Sequence, residues 1–465
     1  MGKKHVNPFV KSSFLYVFAS GLGQIMVLLG VFLFTRLMSE KDYGRYVTYY
    51  SFVSVFAVLI GTNLFESLNN AYIDIKDDII AFRKSVLVLS SIIALSVTVV
   101  TLMISVFILH RFSAFEVIMA AIHSYTFFVI NYRMYSANME NDYKKKMLLL
   151  SLPNILQLAI SLITVIVLPD ISYEARIIGS VAGLGIIAVL SYIDIIKCPG
   201  KPVITKYWKY ALKISVPSIF MSISYMIMQQ CDNIMVTNYC GEEVTSAYSV
   251  VFYLGYAMIA VNAAVMPVRQ AWLYRKLDKK DYTGIKTLQK WYLILFAFLA
   301  TLVIMFGKLV LMFLPSSYRH SEYIPPFILS ACMMVLYGMF TEVLLFHKKT
   351  GVLSVMVSVS AIINLILNAI FIPKFGAIAA GFTTVFAYFI LFILNKIGAD
   401  LCIKRLYSLL YSAAFIAWAL LLAAVFYMTE SHEVIRYIIY SAMLLIFAII
   451  ALVKRKTIKE MLGSK

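Results

Sequence analysis

Fourteen stretches of about 20 predominantly apolar residues follow one another along the chain, near 12–35, 46–69, 85–109, 114–137, 147–168, 176–196, 210–237, 246–268, 291–314, 323–346, 351–373, 376–398, 406–428 and 434–453. This recurrence constrains the fold more than any other feature. A helix needs about 20 residues to cross roughly 30 Å of hydrocarbon, and only helices or closed barrels satisfy their backbone polar groups there. Of the 465 residues, 62% are apolar and 14% charged, against about 45–50% and 25% in a soluble domain. The sequence predicts an all-α polytopic membrane protein. A soluble enzyme, a secreted disulfide scaffold and a disordered chain are excluded.

Charge supplies an internal test of the span count, because cytoplasmic loops are enriched in Lys and Arg. With the amino terminus inside, inward segments hold 31 of the 41 basic residues, outward segments hold 8, and Arg133 and Lys308 lie within spans. Adding or removing one span would invert every later loop, so fourteen spans with both termini cytoplasmic are expected. The net charge of +18 then reads as topology and not as nucleic-acid binding. The basic start MGKKHVNPFVKSS leads into an apolar run from Phe14 to Phe34 that is too long for a signal-peptide core, and is read as a retained first span. Cys198, Cys231, Cys240, Cys332 and Cys402 form no C-x-x-C pair, so neither a disulfide framework nor a zinc site is expected.

The chain echoes itself. A shift of 202 places Glu40 on Glu242 and Tyr46 on Tyr248, and a shift of 204 pairs VLPD around Pro169 with FIPK around Pro373. A repeat of six spans is even-numbered, so its copies share one orientation, as in parallel repeats about an axis along the membrane normal. The expected organisation is an amino-terminal six-helix lobe over 1–200, a second over 201–400, and two added helices with a basic tail over 401–465, the lobes being related by a pseudo-twofold axis. Two such lobes can rock about a midplane site, as secondary transporters do.

Motifs for an enzyme are missing. No G-x-x-x-x-G-K-[ST] loop occurs, since Gly307 and Lys308 are followed by Leu309 within an apolar run, and no H-E-x-x-H is present. Asp74, Asp77 and Asp78 read as a solvated charge run beside Lys76 and Arg83. No enzymatic activity, metal or cofactor is expected.

Ionisable residues inside spans cost at least about 2.5–3.5 kcal/mol at the bilayer centre and normally face a cavity or each other. Glu66, Glu116, His123, Arg133, Asp232, Lys308 and Glu342 are of this kind. Arg133, beside Asn131, offers a fork for a phosphate, or snorkels to headgroups. Asp232 follows Gln229 and Gln230, a polar stretch suited to a cavity. Asn364 and Asn368, four apart on one helix face, suit carbohydrate hydroxyls or a neighbouring helix. Shifting Glu66 by 202 lands beside Arg269, so Glu66, Arg269 and Glu342 are candidates for a cytoplasmic gate. Gly179 and Gly183 have G-x-x-x-G spacing, for dimerisation or for packing inside a lobe.

TRLMSEKDYGRY at Thr35–Tyr46, CDNIMV around Asp232, HKKT at His347–Thr350, and above all NLILNAIFIPKFGAIAAGFTT at Asn364–Thr384 resemble the polysaccharide biosynthesis (O-antigen flippase) family of the multidrug/oligosaccharidyl-lipid/polysaccharide flippase superfamily. The likeness runs in order through nearly the whole chain. It implies transport of an undecaprenyl-diphosphate-linked oligosaccharide from the inner to the outer leaflet of a bacterial inner membrane, two six-helix lobes, and work alongside a polysaccharide polymerase and other assembly proteins. Asn233 stands where members often carry a basic residue, and GTNLFESLNNAY lacks an arginine frequent there, which leaves Arg133, Arg269 and Lys213 to recognise the anionic headgroup. With no ATPase, the energy is expected from an ion gradient in H+ or Na+, the membrane potential or consumption of product. The rival readings are an ion-coupled multidrug efflux antiporter and a membrane-embedded polysaccharide polymerase or glycosyltransferase.

Overall fold

The computed structural model describes residues 8–105, 113–140 and 142–453, with the backbone alone at 8–20, 24, 143, 256 and 451. Lys3, Lys4, Arg111 and the basic tail 454–465 lie outside the described residues. Fifteen α-helices and short 3-10 turns account for the regular structure, with no strand among the described residues: α1 Pro8–Leu37, α2 Glu40–Gly61, α3 Glu66–Asp74, α4 Ile79–Ile104, α5 Ala114–Met139, α6 Tyr143–Val167, α7 Ser172–Ile196, α8 Thr205–Cys240, α9 Glu242–Asp278, α10 Ile285–Met312, α11 Ile324–Phe346, α12 Thr350–Phe375, α13 Ala377–Cys402, α14 Leu409–Met428 and α15 Glu433–Val453. Thirteen helical segments among the described residues are long and apolar enough to cross a membrane, and α1 supplies a further apolar stretch, Gly21–Leu37. Glu40 and Glu242, matched by the repeat, each open a helix.

Local chemistry sets several of these boundaries. Ser39 caps α2 by accepting from the Asp42 amide at 3.1 Å, and Ser113 with Glu116 forms a reciprocal capping box at the start of α5. The run expected as one span over 46–69 lies within one apolar segment, Glu40–Asp74, which a break divides into α2 and α3. After Gly61 the chain turns through Thr62 (φ 42°) and Asn63 (φ 49°), both left-handed, before α3 begins. Such conformations cost non-glycine residues about 1–3 kcal/mol each and persist where surroundings enforce them. Here the buried Asn63 amide donates to Ser222 at 2.7 Å and to Ser218 at 3.3 Å on α8.

By packing, the chain divides into two compact units, residues 1–246 with 357–365, and residues 247–356 with 366–465. The lobe boundaries expected at 200 and 400 follow the repeat, whereas this division follows contacts. In unit 1 the largest apolar cluster gathers Leu64 and Leu68 of α3, Phe82 and Leu87 of α4, Phe128 and Tyr132 of α5, Leu184 of α7 and Tyr207 and Ala211 of α8. Arg176 on α7 lies over the rings of Tyr46 and Phe34, 3.7 and 4.0 Å from their centroids, which ties α7 to α2 and α1. Gly179 and Gly183 face α6, and a Cβ at Gly183 would stand 2.6 Å from the Gln157 Cα. The G-x-x-x-G spacing therefore serves close packing of α6 on α7 inside the unit. In unit 2, α11 is the most enclosed span, 78% of its apolar window being buried.

Candidate substrate-handling sites

Unit 1 gathers charge at the ends of α4, α5, α6 and α7. Arg133, on the buried face of α5, donates through Nε to Asp194 at 2.6 Å and through Nη1 to Glu140 at 3.1 Å. Lys145 reaches the same Asp194 oxygen at 2.8 Å. Arg83 pairs with Glu140 and donates to Ser136 at 2.5 Å, while Tyr72 lies 3.4 Å from both. Three cations thus share two carboxylates. The guanidinium that the sequence offered to a phosphate is held by Asp194 and Glu140, and neighbouring Asn131 is half-buried. Sequence reasoning missed Asp194, Glu140 and the burial of Arg83. They lie at span ends, where charges read as solvated, and Asp194 is 61 residues from Arg133.

A ladder of small polar side chains joins α2 to α8 within unit 1. Thr48 and Thr237 hydroxyls meet at 2.6 Å, with Thr245 at 2.8 Å from Thr237. Asn233 donates to Ser51 at 3.1 Å, so the residue standing where a base was expected ties two helices. The next rung is Asn63 with Ser218 and Ser222. At the top of the ladder Gly44 packs directly on the Glu242 carbonyl, leaving no room for a Cβ.

Asp232 and Asn364 are both buried on α8 and α12, and the Cys231 thiol lies between them, 3.0 Å from Asn364 Oδ1 and 3.7 Å from Asp232 Oδ1. Ser224 and Ser358 join the same two helices at 2.8 Å. Gln229, by contrast, is exposed. Asn368, fully buried in unit 2, accepts from the Thr383 hydroxyl on α13, a helix-to-helix bond of the kind the sequence left open. Glu66 is the first residue of α3 and half-buried beside Ser218.

The remaining in-span charges have local partners. Glu116 accepts from the Tyr173 hydroxyl at 2.6 Å and lies 3.7 Å from Arg45. His123 is fully buried, stacked on Phe127 at 5.1 Å with Nδ1 3.3 Å from the Tyr49 hydroxyl. Lys308 on α10 pairs with Glu433 at the start of α15.

Unit 2 buries one ion pair deeply. Arg269 of α9 donates through Nη2 to Glu342 of α11 at 2.6 Å, and the two side chains are 4% and 0% exposed. The guanidinium carbon sits 4.5 Å from the centroid of Tyr292 on α10, whose hydroxyl bonds to Asn262. Arg269 Nε and Glu342 Oε2 are buried without a hydrogen-bond partner. Pro267 stands two residues before Arg269 inside α9. Of the three gate candidates, Arg269 and Glu342 come together, while Glu66 belongs to unit 1. Tyr292 and Asn262 were missed, their residue types being common in membrane helices. No group of three or more His, Cys, Asp or Glu suited to a metal occurs among the described residues.

No protein-family model and no curated protein sequence matches the chain. Solved structures do. A lipid II flippase MurJ in an inward closed conformation superposes with a TM-score of 0.73 at 17% identity, covering 97% of this chain and 100% of that one. The Vibrio cholerae MATE transporter VcmN, as a mutant, gives 0.61 at 9% identity over 87% and 98%. An inward-facing multidrug resistance MATE family transporter of the MOP superfamily gives 0.59 at 13% identity over 83% and 96%. At these identities the likeness is one of architecture, and the chain has the many-helix fold of these membrane transporters.

Proposed function

We infer that the protein is a flippase, moving an undecaprenyl-diphosphate-linked oligosaccharide from the cytoplasmic to the outer leaflet of a bacterial inner membrane, for surface polysaccharide assembly. The observation that carries this reading is the full-length superposition on a lipid II flippase, 97% and 100% of the two chains. Coverage by the multidrug transporters stops at 83–87% of this chain, a shortfall on the scale of the last two spans. The motifs of Asn364–Thr384 support the same substrate class.

A sugar-diphosphate head cannot cross hydrocarbon unaided, whereas its prenyl tail can stay in the bilayer. Alternating access of two six-helix lobes (1–200 and 201–400) would carry the head across. Arg133, Asn131, Asp232, Gln229, Asn364 and Asn368 are the proposed substrate contacts, with Glu66, Arg269 and Glu342 in the gate. Both termini are assigned to the cytoplasm by the basic loops. An inside-negative potential helps an anionic head outward by ~2.3 kcal/mol per charge per 100 mV, alone or with H+ or Na+.

Depleting the protein from cells with intact glycan synthesis tests the reading. Leaflet-selective labelling is expected to find complete lipid-linked units in the inner leaflet. Single units piling up outside would indicate a polymerase. No change in glycan lipid would favour the efflux antiporter, the second reading that the multidrug-transporter neighbours support.

A further inference from the structure

The Arg269–Glu342 pair is built in a way that a purely structural ion pair is not. A buried guanidinium and carboxylate repay their desolvation only with good geometry and saturated hydrogen bonds, which a bidentate fork supplies. Here one Nη2 donor meets one Oε1 acceptor at 2.6 Å, and Arg269 Nε and Glu342 Oε2 remain buried and unpartnered. Each partner therefore holds back hydrogen-bonding capacity while bearing the full cost of burial. The ring of Tyr292 lies over the cation on one side, and the Tyr292 and Tyr407 hydroxyls also interact with the guanidinium, which leaves the Nε edge and Glu342 Oε2 as the reserve.

The backbone provides for movement. Pro267 has no N–H to close a helical bond to residue 263, and a proline inside a helix is a site of bending. It lies two residues before Arg269, with Pro267 and Val268 exposed and Arg269 buried. A bend or twist there re-aims the Arg269 side chain while α11, the most enclosed span of the unit, keeps Glu342 in place.

We propose that Glu342 is a tethered stand-in for the substrate's diphosphate: it occupies Arg269 when the carrier is empty, yields it to the incoming head, and reclaims it as the head leaves. This rests on the flippase reading and adds a release device to it. Glu342 is then a positioning residue that sets how tightly Arg269 can hold an anion, and it discriminates against weak anions, since only a multiply charged head displaces a carboxylate held at this range.

The test uses the full-length protein in detergent with undecaprenyl diphosphate as probe and undecaprenol as the uncharged control. Removing the competing carboxylate raises the fraction of Arg269 free to bind, so Glu342→Gln is expected to bind undecaprenyl diphosphate roughly tenfold more tightly. In a flipping assay the same variant is expected to show both a lower half-saturation and a lower maximal rate, because release slows. Should Glu342→Gln fail to fold, Glu342→Asp, which withdraws the charge by one methylene, is expected to shift binding in the same direction by less. The double variant Arg269→Met with Glu342→Met is expected to fold and to lose the preference for the diphosphate. If that double variant binds undecaprenyl diphosphate as the native protein does, the pair is structural and the proposal falls. If the native protein prefers the diphosphate but neither Glu342 variant tightens binding, the stand-in role alone falls. If the native protein shows no preference for the diphosphate over undecaprenol, the flippase reading fails and takes this inference with it.

Discussion

The two units bury arginines in opposite ways. In unit 1, Arg83, Arg133 and Lys145 share Glu140 and Asp194, whose side chains are 29% and 44% exposed. Each carboxylate is shared by two cations and keeps contact with water. In unit 2, Arg269 has Glu342 alone among charged partners of the described residues, and neither touches solvent appreciably. A shared, half-wet network tolerates loss of a member. An exclusive, dry pair does not, because an orphaned charge in low dielectric has nowhere to turn.

The sharpest way to break this contrast is to remove one partner from each. Arg269→Met alone is expected to destabilise the protein by about 3–5 kcal/mol, as does breaking a buried pair in general, and thermal unfolding in detergent would record it. Arg133→Gln is expected to cost about 1.5–3 kcal/mol, the value of a hydrogen bond to a charged group, since Lys145 still holds Asp194 and Arg83 still holds Glu140. If Arg133→Gln proves as damaging as Arg269→Met, the contrast between the units is wrong. Gly183→Leu pushes a side chain into the Gln157 backbone and is expected to cost about 1–3 kcal/mol as overpacking, with no change in the salt dependence of stability. Salt itself separates the units further. Raising ionic strength from 0.1 to 1 M shortens the screening length from about 10 to about 3 Å, which is expected to weaken the Arg133 network and leave the Arg269 pair unaffected, read as the salt dependence of stability in Glu140→Gln against Glu342→Gln.

The smallest effect is expected outside both sites. Lys276, in the last turn of α9, donates at 2.5 Å to Asp281 in the following loop and holds its carboxyl well below the usual carboxylate range, helped by Thr283. A depressed pKa favours the native state above the ordinary carboxylate range and loses that contribution as pH falls through the native value. Asp281 is partly exposed and water screens the pair, so Asp281→Asn is expected to leave transport unchanged and to lower the midpoint of unfolding at neutral pH only slightly, a difference that vanishes as pH falls below the carboxylate range.

The spans were legible because each is a local run whose length the bilayer dictates, and the small-residue spacing of Gly179 and Gly183 announced a close helix contact. The break after Gly61 was not. Thr62, Asn63 and Leu64 sit within an apolar run, and what holds them is a hydrogen bond to serines more than 150 residues away. The in-span charges were legible as residues and illegible in their pairings. Arg133, Arg269, Asp232 and Glu342 stood out by their cost in hydrocarbon, but partners 61 and 73 residues distant are set by helix packing. Arg83 misled because the edge of a span and the buried end of a helix look alike in sequence.

Gly44 carries a consequence of another kind. Its Cα rests on the carbonyl of Glu242, so residue 44 works as a feeler gauge between the first turns of α2 and α9. Any side chain larger than hydrogen is a shim of known thickness, and a series of substitutions there would dose the separation of those two helix starts in steps of a methyl group. Even alanine there would have to displace the Glu242 backbone, so this one tight spot sets how closely those two helix starts can lie.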